Sequence, residues 1–441
     1  MNMDDTRVPI SEVINAAPLS ALQIRVLLLC CILVVLDGFD AAVIGYIAPT
    51  LTKTWHISPQ ALAPVFAAGL FGMFAGATGL GIVADRYGRK IVLILSLMIV
   101  AAGTLGTVLT DTVMEMTVLR FITGIGMGAI LPNSITLAAE YSPARRKIVL
   151  VTLSYSGFTL GLAAGGWIAG IILPAFGWHG LLLAGGIAPL LLIPITIVWL
   201  PESLCFMAGR DRYRRQLNHL VSKITGVKND AVCYSNNETV RVSSPVGALF
   251  NKEIVRVTLV LWCAFFACMF VFYLLTSWLP MILSKSGYPL TEMSHIAAML
   301  PLGGVIGGIV MATLLDRLSS LHVLTVASVI AAITLTVTGA QLQHPQLLLA
   351  AIFILGFTLT GTMNNLSVLA STFYPTHARA TGVSWALSAG RAGSICGSLS
   401  GGLLFSQAQT LSDVFIWLAC PIAVACIALG LAGSRKRNQA E

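Results

Sequence analysis

Apolar stretches of about 20 residues recur twelve times along this 441-residue chain. That is the length a helix rising 1.5 Å per residue needs to cross a hydrocarbon layer roughly 30 Å thick. They lie at about 24–48, 60–84, 91–110, 115–139, 148–173, 180–200, 256–283, 293–315, 321–339, 346–372, 381–406 and 412–432. In such a layer only helices and closed barrels satisfy every backbone polar group. Barrel strands would be half as long and would alternate in polarity, so the stretches read as helices. With 10% of residues charged and 56% hydrophobic, the chain is expected to be an all-α polytopic membrane protein with twelve transmembrane helices.

Lysine and arginine set the expected orientation. An even number of spans leaves both termini on one side, which receives Arg7, the Arg86, Arg89, Lys90 and Arg145, Arg146, Lys147 clusters, the loop 201–255 and the tail Arg435-Lys436-Arg437. Of 26 basic residues, setting aside Arg120 and Arg391 within spans, only Lys53 and Lys285 fall on the other side. The termini are therefore expected in the cytoplasm. The net charge of +8 reports topology and contact with anionic lipid; no nucleic-acid partner is expected. Residues 1–23 lack a cleavage pattern and read as a cytoplasmic leader. Nine cysteines, mostly within spans and without CxxC spacing, read as free packing residues, and no metal site is expected.

The layout is six spans (24–200), a loop (201–255), six spans (256–432) and a tail (433–441). The loop holds Arg210, Arg212, Arg214 and Arg215 with little apolar periodicity, and reads as a solvated cytoplasmic linker. Sliding the sequence along itself until Gly72 meets Gly304 also brings Gly76 onto Gly308, Gly124 onto Gly356, Pro143 onto Pro375, Gly161 onto Gly393, Gly165 onto Gly397 and Gly170 onto Gly402. The halves thus read as a duplication, two six-helix bundles with a substrate site between them at mid-membrane.

Between spans 2 and 3 the chain reads GIVADRYGRK (81–90). Asp85 ends span 2 beside Arg86, Gly88 permits a tight turn, and Arg89 and Lys90 can meet neighbouring helix ends, so the cluster can latch one bundle to the other. The pattern resembles the signature of the major facilitator superfamily, and the resemblance extends over the twelve spans. The second-half counterpart keeps only Asp316 and Arg317, which implies a weaker latch.

Three further stretches, DGFDAAVIGYIAPTL (37–51), YLLTSWLP (273–280) and FYPTHARATGVSWALSAGRAGSICG (373–397), are together similar to the aromatic acid:proton symporters of that superfamily, of the 4-hydroxybenzoate and protocatechuate permease type. The resemblance implies a monomeric importer of small aromatic carboxylates in a bacterial inner membrane, driven by the proton gradient without a cofactor. These motifs do not separate hydroxybenzoate carriers from those for gentisate, vanillate or benzoate.

The residues themselves carry a matching chemistry. Asp37 and Asp40 share a helical face, and each costs roughly 2.5–3.5 kcal/mol at a helix centre if charged and unpaired. Two acids so close are expected to titrate as a pair and to carry the proton. Arg391, deep in span 11 between Gly390 and Gly393, offers a planar fork to a carboxylate, or a salt bridge to Asp37 or Asp40. Arg120, near the outer end of span 4, is a second substrate candidate that could also snorkel to the surface. Asn133, Asn364 and Asn365 could bond a ring hydroxyl, and Tyr46, Tyr155, Phe158, Tyr273, Trp278 and Trp385 could stack on a ring.

Glu140, Arg145 and Arg146 after span 4, and Arg379 before span 11, sit at cytoplasmic helix ends and read as gating residues. Glycine runs at 124–128 and 161–166 read as helix packing, since neither has the strand and Lys-Ser/Thr of a nucleotide loop. Seven scattered histidines offer no enzyme centre. The readings kept beside the main one are a symporter for another organic anion, such as shikimate or a dicarboxylate, and a non-transporting receptor for aromatic acids.

Overall fold

Ser20 opens the first long helix with a reciprocal cap. Its Oγ accepts from the Gln23 backbone N–H at 3.3 Å, and its own backbone N–H donates to Gln23 Oε1 at 2.8 Å. Gln23 Nε2 then donates to the Tyr141 carbonyl at 2.8 Å, fixing the start of one span to the end of another. The computed structural model describes residues 7–208, 210–226, 233–235, 249–250, 254–374, 378–408 and 410–438.

In chain order the helices are α1 (Ile10–Ala16), α2 (Ala21–Thr54), α3 (Ala63–Tyr87), α4 (Arg89–Thr107), α5 (Val113–Tyr141), α6 (Lys147–Trp199), α7 (Leu204–Ala208), α8 (Arg214–Thr225), α9 (Val255–Lys285), α10 (Leu290–Leu315), α11 (Ser320–Ala340), α12 (Pro345–Phe373), α13 (Arg379–Gln407) and α14 (Leu411–Asn438). Ten of them are by themselves long and apolar enough to cross a membrane. One of these, α6, is two spans joined at Gly177, whose φ of 64° breaks the helix. With α13, which Arg391 and many serines and glycines make more polar, the spans number twelve.

Glycine decides which helices touch. A side chain at Gly38 would run into the Phe158 carbonyl and one at Gly161 into the Val35 carbonyl, so α2 lies against α6 at backbone distance. In the second half, Gly393 and Gly397 meet the Phe266 and Phe270 carbonyls, setting α13 against α9 in the same way. Gly124 and Gly356 likewise seat α5 on α3 and α12 on α10. The glycines that superpose in the internal repeat therefore make equivalent contacts in the two bundles.

The bundles meet on the face away from the termini. There Gly166 of α6 faces Ala298 of α10, Trp167 lies 4.5 Å from the His295 ring, and Phe66 of α3 lies 5.0 Å from the Trp278 ring of α9. Gly45 of α2 would bring a side chain within 2.7 Å of the Thr276 carbonyl. This seam closes the far face.

The middle loop differs from the expectation of a solvated linker. Leu217, Leu220, Val221 and Ile224 form one buried face of α8, packed with Ile10 and Ile14 of α1 and with Leu200 and Leu204. Strand β1 (Arg7–Pro9) pairs in parallel with β2 (Cys233–Ser235). The apolar spacing in 214–225 is helical, but four surrounding arginines dilute it in any compositional reading. Pro375, which superposes on Pro143 in the internal repeat, lies outside the described residues.

Candidate functional site

Asp37 and Asp40 both lie on α2 and are buried, at 1% and 2% exposure, yet they differ in company. Thr104 Oγ1 of α4 donates to Asp40 Oδ1 at 2.8 Å, and Arg120 Nη1 of α5 donates to Asp40 Oδ2 at 2.9 Å. Neither oxygen of Asp37 has a hydrogen-bond partner among the described residues. Arg120 is 4% exposed and does not snorkel. Its depth follows from Asp40 on a neighbouring helix, whereas the sequence shows only its nearness to a span end. The Nε and Nη2 of Arg120 are buried without a partner.

Below this pair, towards the face bearing the termini, a cavity of about 280 Å³ lies between the bundles. This is just below the roughly 300–1,000 Å³ typical of small-molecule sites. Its walls are apolar and soft, with Met73, Met127, Met269 and Met363 alongside Phe158 and Leu387. Its polar groups are few: Arg391, Asn364, Tyr155, Tyr273, Thr159 and Ser394. Arg391 is exposed into this space and its guanidinium has no hydrogen bond or ion pair among the described residues, so the alternative of a standing salt bridge to Asp37 or Asp40 is not what the structure contains. Asn364 Oδ1 is also unpartnered. Tyr155 and Phe74, both cavity-lining, are 38% and 47% exposed, so the space is not sealed off.

Other candidates lie elsewhere. Asn133 donates to the Ala129 carbonyl of its own helix at 2.8 Å. Asn365 donates to the Gly361 and Gly308 carbonyls at 2.9 and 3.3 Å, tying α12 to α10. Trp278 is fully buried, with Nε1 donating to the Ser398 carbonyl at 2.8 Å. Trp385 stacks on Trp262 at 5.9 Å, outside the cavity. Tyr46 packs at the far seam, against Gly166. In spans apolar all round, sequence does not reveal which face meets the cavity.

The charged cluster after span 2 is joined within its own bundle. Arg89 is paired with Glu140, and Ser203 Oγ donates to Glu140 Oε2 at 2.6 Å. Glu202, which the sequence reading passed over, accepts from the backbone N–H groups of Arg89, Lys90 and Ser203 at 2.8, 3.1 and 2.9 Å. Its carboxylate occupies the place where a side chain on Gly88 would stand, and Gly88 has φ 105°. Arg210 Nη2 donates to the Arg86 carbonyl at 2.9 Å. The expected latch across the bundles is thus open on this face: Asp85, Arg145, Arg146, Asp316, Arg317 and Arg379 are exposed. Glu202 follows Pro201 at the end of a span, and that acid beside a helix-ending proline was the available signal. Among the described residues, no three His, Cys, Asp or Glu side chains gather as metal ligands would.

The family model described as "Major Facilitator Superfamily" matches residues 30–398 and again 261–440. The chain is 37% identical to the 4-hydroxybenzoate transporter PcaK of Pseudomonas aeruginosa, over 97% of this chain and 96% of that one. It is 35% identical to the gallate transporter of Pseudomonas putida, over 99% and 97%. Its fold is similar to the inward open conformation of the xylose transporter XylE from E. coli, with TM-score 0.71 and 16% identity over 92% of this chain and 95% of that one.

Proposed function

The chain belongs to the major facilitator superfamily, and on that premise we propose that it imports small aromatic carboxylates of the hydroxybenzoate type together with protons, across a bacterial inner membrane, by alternating access. The observation that carries the reading is Arg391, an unpaired guanidinium facing a largely apolar cavity with four methionines and several aromatic side chains in its walls. A charge at membrane depth is costly unless a partner arrives, and a guanidinium fork matches a carboxylate. Thioethers favour contact with an aromatic ring and adapt to its substituents. A ring hydroxyl finds an acceptor in Asn364 Oδ1. Relatives named for 4-hydroxybenzoate and gallate transport support this class of guest.

In this reading Asp37 carries the proton. Asp40 is already held by Arg120 and Thr104, so changing its charge breaks an ion pair, whereas proton exchange at Asp37 breaks none. The terminal face is the cytoplasmic one, from the basic residues it bears, and the open cavity is the state that releases substrate inward. When the bundles rock to close that face, the cluster of Asp85, Arg86 and Arg89, aided by Arg145, Arg146, Asp316, Arg317 and Arg379, is positioned to join them. The protein acts as a monomer. The test is uptake of labelled 4-hydroxybenzoate by cells expressing it, with and without a protonophore. Accumulation that the protonophore abolishes is expected; no accumulation of any hydroxybenzoate would overturn the reading.

A further inference from the structure

A second, smaller chamber of about 50 Å³ lies between the central cavity and the far seam, lined by Asp40, Arg120, Tyr273, Thr276 and Ser277 among others. It shares Leu70, Met73, Met127 and Tyr273 with the main cavity, so the two adjoin along one route. We propose that Arg120 is a second station for the transported carboxylate, used when the molecule opens to the far face. This rests on the proposed function and adds a site to it.

The argument starts from the guanidinium. Only Nη1 is engaged, by Asp40 Oδ2 at 2.9 Å; Nε and Nη2, the two donors of one free edge, are buried and unpartnered in a side chain 4% exposed. Such an edge presents two parallel N–H groups, the arrangement that takes a carboxylate bidentately. Leaving both donors unmet in a dry place is costly, which favours an arriving acceptor. The chamber holds only a few water-sized spaces, room for a carboxyl group with its ring left among the methionines below.

Position gives the station its role. Asp40 and Arg120 belong to the first bundle, and Thr276 and Ser277 to the second, directly beneath the contact of Gly45 with the Thr276 carbonyl. Parting that contact opens the chamber first. An anion entering from the far face meets Arg120 before Arg391, and an anion entering from the terminal face meets Arg391 before Arg120. The ion pair with Asp40 holds the fork in place while its second edge serves the guest.

The test uses exchange of labelled 4-hydroxybenzoate in right-side-out and inside-out vesicles holding the full chain. The variants are Arg120→Lys, which keeps the charge but not the fork, and Arg120→Gln with Asp40→Asn, which leaves no buried charge unpaired. Each is expected to raise the ratio of far-face to terminal-face half-saturation at least about tenfold, equivalent to roughly 1.4 kcal/mol on one face. An unchanged ratio, or loss of exchange from both faces at wild-type membrane levels, would show that Arg120 only supports the fold. Wild-type vesicles that exchange no hydroxybenzoate would overturn the proposed function and the station with it.

Discussion

Arg120 donates to Asp40 at 2.9 Å, while Asp37, three residues earlier on the same helix, has neither oxygen paired among the described residues. Two acids that look alike in sequence thus stand in different surroundings. One is part of a buried ion pair between α2 and α5, and the other, unpaired, is the acid proposed to exchange the proton.

Breaking that pair from one side leaves a charge buried alone. Asp40→Ala and Arg120→Ala are each expected to lower stability by roughly 3–5 kcal/mol, and Thr104→Val by about 1 kcal/mol. Thermal unfolding of the purified protein in detergent, with yield in the membrane as a second reading, is the check. A single alanine variant as stable as wild type would show that the pair is dispensable to the fold.

Arg391 is expected to act through geometry as well as charge. Arg391→Lys should raise the half-saturation concentration for 4-hydroxybenzoate at least about tenfold, the loss of one charge-assisted contact of roughly 1.4 kcal/mol, and Arg391→Ala should abolish uptake. Uptake at matched membrane levels decides it; wild-type affinity in the lysine variant would mean that the carboxylate is read elsewhere.

Glu202 joins the end of α6 to the start of α4 by accepting three backbone N–H groups. Glu202→Ala leaves those donors unmet, and Gly88→Ala forces a side chain into the Glu202 carboxylate at φ 105°. Both variants should unfold at lower temperature and turn over more slowly, with half-saturation within about twofold of wild type. A large change in half-saturation with normal turnover would instead tie this corner to the substrate site.

The spans and their duplication were legible because the bilayer imposes a length rule, and the repeated glycines mark backbone contacts that no other residue permits. Arg391 stands out in the sequence because arginine in a span is costly. Faces were not legible. Asn133, Asn365, Trp278 and Trp385 bond or stack within the protein, away from the cavity, and a span apolar on every side gives no sign of which way a residue points. For the same reason the sequence does not mark Met73, Met127, Met269 and Met363 as cavity lining. That Arg120 is buried rather than snorkelling was not legible, because its partner Asp40 lies on another helix. The face of Leu217, Leu220, Val221 and Ile224 was hidden by the arginines around it, and Glu202 gains its role only when the fold brings Gly88 beside it.

The most direct test of the account is made at Asp37, by comparing accumulation with exchange in the Asp37→Asn variant. Accumulation of labelled 4-hydroxybenzoate needs the proton cycle, whereas exchange of external for internal substrate needs only the loaded carrier to reorient. The account predicts that Asp37→Asn loses protonophore-sensitive accumulation while retaining exchange at wild-type membrane levels. Accumulation by Asp37→Asn that matches wild type and still collapses with a protonophore would contradict it.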